Sequence, residues 1–152
     1  MKPLLVIGLG NPLMGDDGVG CAVAERLAGD PRLPTGVEVI AGGSDLFRYA
    51  AQMRGRSRVI VIDAVQDGAE PGSISVLENA GSQLDERQDH AHHLSVCQAI
   101  RLLQMTMPVA PTLLGISISS ARLELRLSPE VDCRMPAILD RVLQELIWNS
   151  SK

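Results

Sequence analysis

Leu4-Leu5-Val6-Ile7-Gly8-Leu9-Gly10-Asn11-Pro12-Leu13-Met14-Gly15-Asp16-Asp17-Gly18-Val19-Gly20 passes from an unbroken apolar run into a glycine-rich turn. An apolar run without polar alternation is what a strand covered on both faces requires. Beyond Gly18, Val19, Ala22, Val23 and Leu27 recur at helical spacing until Gly29-Asp30-Pro31 stops them. Strand, tight loop and helix in this order are the start of a parallel α/β sheet.

The remaining sequence continues the alternation. Val37–Ala41 reads as a second strand, followed by Gly42-Gly43-Ser44 and a helix that aligns Leu46, Tyr49, Ala50 and Met53. Arg58–Ala64 contains Val59-Ile60-Val61-Ile62 and ends at Asp63, a third buried strand. Ser73–Leu77 alternates like a strand with one wet face, and residues 79–93 read as a polar, mobile surface loop. A helix aligning Val96, Ala99, Ile100 and Leu103 follows, then a strand at Leu113–Ile118 and a further alternating stretch at Leu123–Leu127. Ser128-Pro129-Glu130 opens a helix, with Ser as cap, Pro at the first position and an acid near the positive dipole end. Pro136 splits that element, leaving Pro136–Trp148 as the longer piece. The expectation is one α/β domain over residues 1–152, with a mainly parallel, twisted sheet between helical layers. Ligands of such sheets bind beyond the carboxyl ends of the strands.

Composition narrows the function. Aromatic residues make up 2% of the 152 and the formal net charge is -4, so base-stacking platforms and phosphate-backbone partners are excluded. No apolar run approaches the roughly 20 residues of a membrane span. Cys21, Cys97 and Cys133 are odd in number and widely spaced, as in a reducing compartment. The expected protein is soluble and cytoplasmic.

The glycine loop resembles a phosphate cradle only in spacing. Gly8-Leu9-Gly10-Asn11-Pro12-Leu13 lacks the third glycine of a dinucleotide fingerprint, and Ala41 stands where a ribose-binding acid would close the second strand. Gly10 and Gly15 have P-loop spacing, but Asp16-Asp17 replace the Lys-Ser/Thr that follows. A carboxylate about 4 Å from a phosphate costs on the order of several kcal/mol at an effective dielectric near 20. Such a loop repels an anion and attracts a cation. Helix capping accounts for one of the two carboxylates as well as metal binding does.

Two more features complete a candidate donor set. Asp63 stands at the carboxyl end of a Val/Ile strand, where it serves either as a turn residue or as a ligand. All three histidines lie within His90-Ala91-His92-His93, either a solvated loop or a source of imidazole donors. Two carboxylates and one imidazole leave coordination positions open, as a catalytic site requires, and accept Ni, Co, Zn or Mn alike. No G-x-S-x-G elbow or catalytic cysteine context is present.

Gly8–Gly20, Gly42-Gly43-Ser44, Val61-Ile62-Asp63-Ala64, His92-His93-Leu94, Leu114-Gly115-Ile116 and Leu127–Val131 occur in an order that resembles the hydrogenase maturation proteases. These endopeptidases finish the large subunit of nickel–iron hydrogenases. The resemblance implies a three-layer α/β/α sandwich and metal ligands at Asp17, Asp63 and His92, with His93 as the alternative histidine and Asp16 as a helix-capping neighbour. It implies a nickel-loaded large-subunit precursor as substrate, nickel delivered by that substrate, and removal of a C-terminal extension. The chain departs from the family at Ala41, where many members carry Asp; Asp45 is the nearby acid available in its place. A non-catalytic nickel-binding maturation chaperone is the competing expectation.

Overall fold

The computed structural model describes residues 2–82 and 95–148. Five strands form one sheet: β1 (Leu4–Gly8), β2 (Val37–Ala41), β3 (Arg58–Val65), β4 (Ile74–Leu77) and β5 (Thr112–Ser117), in spatial order β2-β1-β3-β5-β4. β1 pairs in parallel with β2 and β3, and β3 with β5; β4 closes one edge antiparallel to β5. The helices are α1 (Val19–Ala28), α2 (Ala50–Met53), α3 (Val96–Gln104), α4 (Pro129–Asp132) and α5 (Met135–Trp148).

The uninterrupted apolar strands are explained by cores on both faces. Leu4, Val6, Ile60, Ile62, Leu114 and Ile116 pack with residues of α1, α4 and α5. Their neighbours Leu5, Ile7, Val59, Val61 and Leu113 pack on the opposite face with Met53 of α2 and Ile100 and Leu103 of α3. The result is the expected three-layer sandwich. α1 approaches the sheet at backbone distance: a Cβ on Gly20 would stand 2.2 Å from the Leu9 carbonyl oxygen and 2.4 Å from that of Ile62. Only glycine permits that approach, and it sets where the loop before α1 hangs over β3.

Several elements differ from expectation. α1 is preceded by a 3-10 turn at Gly15–Gly18, and the second helix is a 3-10 turn at Leu46–Tyr49 followed by the single turn α2. β3 continues two residues past Asp63. Leu123–Leu127 forms no strand of the sheet. β4 already occupies the edge beside β5, so Leu123 and Leu125 are left exposed while Leu127 packs against the core, and only Glu124 forms an isolated parallel bridge, to Met14. Pro136 falls in the first turn of α5, where its missing N–H costs nothing. The expected loop at 79–93 lies mostly outside the described residues.

Candidate active site

The glycine loop emerges at the carboxyl ends of the central strands. The Leu9 N–H donates to the Ile62 carbonyl at 2.8 Å, and the Gly10 N–H donates to the Gly43 carbonyl at 2.9 Å. The loop is thus bonded both to β3 and to the turn after β2. Gly10 has φ 137°, and a Cβ there would lie 2.1 Å from the Asp17 carbonyl oxygen, so the fold-back that brings Asp17 over the strand ends requires glycine. Gly15, at φ 58°, makes the second reversal. Asn11 stiffens the tip: its Oδ1 accepts the Leu13 N–H and its carbonyl accepts the Met14 N–H.

The adjacent carboxylates serve different ends. Asp17 is half-buried, and its Oδ2 accepts the Asn11 N–H at 3.0 Å. Asp16 is buried and caps no helix of its own. Its Oδ1 accepts the Ser128 N–H and its Oδ2 the Ser128 hydroxyl, both at 2.7 Å. Ser128 in turn accepts the Val131 N–H and caps α4. The expected capping role at the start of α1 is therefore corrected: the carboxylate meets a donor far along the chain, because the Gly15–Gly18 turn aims it away from α1.

Asp63 follows the β3 residue that pairs with Gly8, and lies opposite Gly115 of β5. Its Oδ1 accepts the Ala64 N–H at 2.8 Å. Asp63 is half-buried. Desolvation pushes its pKa up to about 7; the Ala64 N–H opposes the rise and the Asp17 charge adds to it. The two expected carboxylate donors therefore stand within electrostatic reach at one strand end, each oriented by a backbone N–H. Mutual repulsion at a partly desolvated site is relieved by a divalent cation, and the oxygen donors suit one. His90, His92 and His93 lie outside the described residues. Among the described residues no three His, Cys, Asp or Glu side chains form a group that could hold a metal ion.

Three contacts were not anticipated. The Cys21 thiol, in the first turn of α1, lies 3.5 Å from the Gly8 carbonyl oxygen and 3.4 Å from that of Gly10. Burial pushes its pKa up, with Glu25, Asp63 and Asp17 adding to the rise and the Gly42 N–H opposing it. The Tyr49 hydroxyl covers Gly42 so closely that a Cβ would collide with it at 1.6 Å. Asp45 accepts the Phe47 N–H at 3.0 Å as the cap of the Leu46–Tyr49 turn. The helical spacing of Val19, Ala22 and Val23 places Cys21 near the sheet side of α1, but nothing local identifies the carbonyls it meets.

The family model described as hydrogenase maturation protease matches residues 21–145. This chain belongs to the hydrogenase maturation protease family. The hydrogenase 2 maturation protease of Escherichia coli is 28% identical over 147 residues, covering 94% of this chain and 90% of that one. Among solved structures, the E. coli hydrogenase maturating endopeptidase HybD superposes with a TM-score of 0.77 at 27% identity, over 96% of this chain and 92% of its own. The hydrogenase 2 maturation peptidase of a Thaumarchaeota archaeon gives 0.67 at 33% identity, over 95% and 98%. Among the described residues no helix of this family member is long and apolar enough to cross a membrane.

Proposed function

We propose that this protein is a cytoplasmic endopeptidase that removes the C-terminal extension of a nickel-loaded hydrogenase large-subunit precursor. Asp17, Asp63 and His92 engage the nickel that the substrate carries. The observation that supports this reading best is the pair Asp17 and Asp63 at the carboxyl ends of β1 and β3, in a chain of the maturation protease family. The Asn11 and Ala64 N–H groups each occupy one carboxylate oxygen, and the other oxygen of each carboxylate makes no hydrogen bond among the described residues. Gly10 and Gly20 hold the loop against β3, so the two carboxylates meet the ion without first rearranging. The bound ion supplies Lewis acidity toward the scissile carbonyl or the attacking water. Because the metal arrives with the substrate, a precursor lacking it loses much of its docking free energy, which couples cleavage to nickel loading.

The test is mass spectrometry of a nickel-loaded precursor before and after incubation with the protein. Loss of a C-terminal peptide is expected, and precursor bound but unshortened would instead make the protein a nickel-binding chaperone. His92→Ala should abolish cleavage while His93→Ala is mild. A severe loss from His93→Ala alone would move the ligand by one position.

A further inference from the structure

Asn11 has one polar group to spare. Its N–H donates to Asp17 Oδ2, its Oδ1 accepts the Leu13 N–H and its carbonyl accepts the Met14 N–H, each at 3.0 Å. Its side-chain nitrogen Nδ2 donates to no group among the described residues. The Leu13 N–H bonds only an acceptor, so it holds Oδ1 toward itself and turns the two N–H donors of Nδ2 away. Asn11 is half-buried, and among the described residues no fully buried side-chain nitrogen or oxygen lacks a partner, so Nδ2 is open to solvent. The rim beside it is open too. Gly43, whose carbonyl accepts the Gly10 N–H, is exposed, and a Cβ there would meet nothing within 4 Å.

The turn at Asn11 needs only Oδ1, which serine or aspartate would also supply. What asparagine adds is a pair of neutral donors, oriented in advance, on the residue whose backbone holds Asp17. We infer that Asn11 is the oxyanion donor of the site, its Nδ2 donating to the scissile carbonyl oxygen of the precursor. This rests on the proteolytic reading above. Hydrolysis adds the oxygen of water to the carbonyl carbon and moves the carbonyl π pair onto oxygen. As that pair returns, the C–N bond breaks and the leaving nitrogen takes the proton that the water gives up. The carbonyl oxygen is most negative between these events, so a donor already in place lowers the barrier more than it strengthens substrate binding. A neutral amide suits the position. A cationic donor there would pair with Asp17 and repel the nickel that the substrate brings.

The test uses the full-length protein and the nickel-loaded large-subunit precursor of the source organism, with Asn11→Ser and Asn11→Asp variants. Both keep an acceptor for the Leu13 N–H and remove Nδ2; serine does so without adding charge. Thermal unfolding of Asn11→Ser should stay near that of the parent, and its binding of the precursor should be little changed. Asn11→Asp should bind the precursor no more weakly, since its added charge attracts the cation. In both variants kcat should fall by roughly a hundredfold with little change in KM. A parental kcat in either variant, while the parent cleaves normally, overturns the oxyanion role and leaves the proteolytic reading standing. A fall in kcat that comes with weaker precursor binding and lower melting in Asn11→Ser makes Asn11 a turn residue and likewise overturns the role. A parent that binds the precursor without cutting it, or does neither, overturns the proteolytic reading and this role together.

Discussion

On one flank of the Gly15–Gly18 turn, Asp16 is 7% exposed and both of its oxygens are taken by Ser128. On the other flank, half-buried Asp17 gives one oxygen to the Asn11 N–H, and its charge adds to the rise in the pKa of Asp63. The side chains are chemically identical and adjacent in sequence. What separates them is the number of donors each meets. A carboxylate whose lone pairs are satisfied by neutral donors is scaffold, whereas one left short of donors beside a second carboxylate keeps lone pairs to spare. Two neighbouring residues of one turn thus end in opposite hydrogen-bonding environments.

The most damaging way to break this division is to remove what suspends the turn. Gly20→Val should destabilise the fold by about 3 kcal/mol or more, because the new side chain meets two backbone carbonyls that cannot move aside. Chemical denaturation should show a lower midpoint with little change in slope.

Next in size, the flanks should respond oppositely to substitution. Asp16→Ala strips Ser128 of two charge-assisted partners and should cost about 2–3 kcal/mol, seen as a lower melting temperature. Asp17→Asn should leave melting nearly unchanged and abolish precursor processing. Equal effects of the two on stability, with processing intact in Asp17→Asn, would erase the distinction drawn here.

Asp63 offers the finest measurement. Its folded pKa of about 7 lies above the ordinary 3.8, so the folded protein favours the protonated form. Its contribution is unimpaired below about pH 4, worsens as pH rises between 3.8 and about 7, and is constant beyond. The full penalty is at most about 4 kcal/mol, and solvent access reduces it. Asn at this position keeps an acceptor for the Ala64 N–H without the charge. Asp63→Asn should therefore melt higher than the parent at pH 8, match it near pH 4, and fail to process precursor. A variant no more stable at pH 8 would mean that the carboxylate is ionised at little cost in the folded protein.

Local pattern was sufficient wherever one residue's fate depended on its near neighbours. β2 runs over the expected Val37–Ala41, and β1 and β3 appear where continuous apolar runs demanded strands buried on both faces. Ser128 caps α4 as its position before Pro129 indicated, since capping needs only a hydroxyl and an N–H three residues on. That Asp17 and Asp63 lie near each other was also legible, because the loop after one strand and a residue late in the neighbouring parallel strand meet at the same end of the sheet.

Partnership across the chain was not legible. Asp16 and Ser128 are separated by 112 positions, and no rule of spacing selects one among many donors at that distance. Leu123–Leu127 has the alternation of a strand, but alternation does not reveal whether a sheet has an edge to offer, and β4 had already covered the one beside β5. The sequence by itself determined the order of strands and helices, the glycines that make close approach possible, and the acids available for chemistry. Only the tertiary structure decided which acid was consumed as a hydrogen-bond acceptor, because that depends on which donors the packed elements bring within about 3 Å.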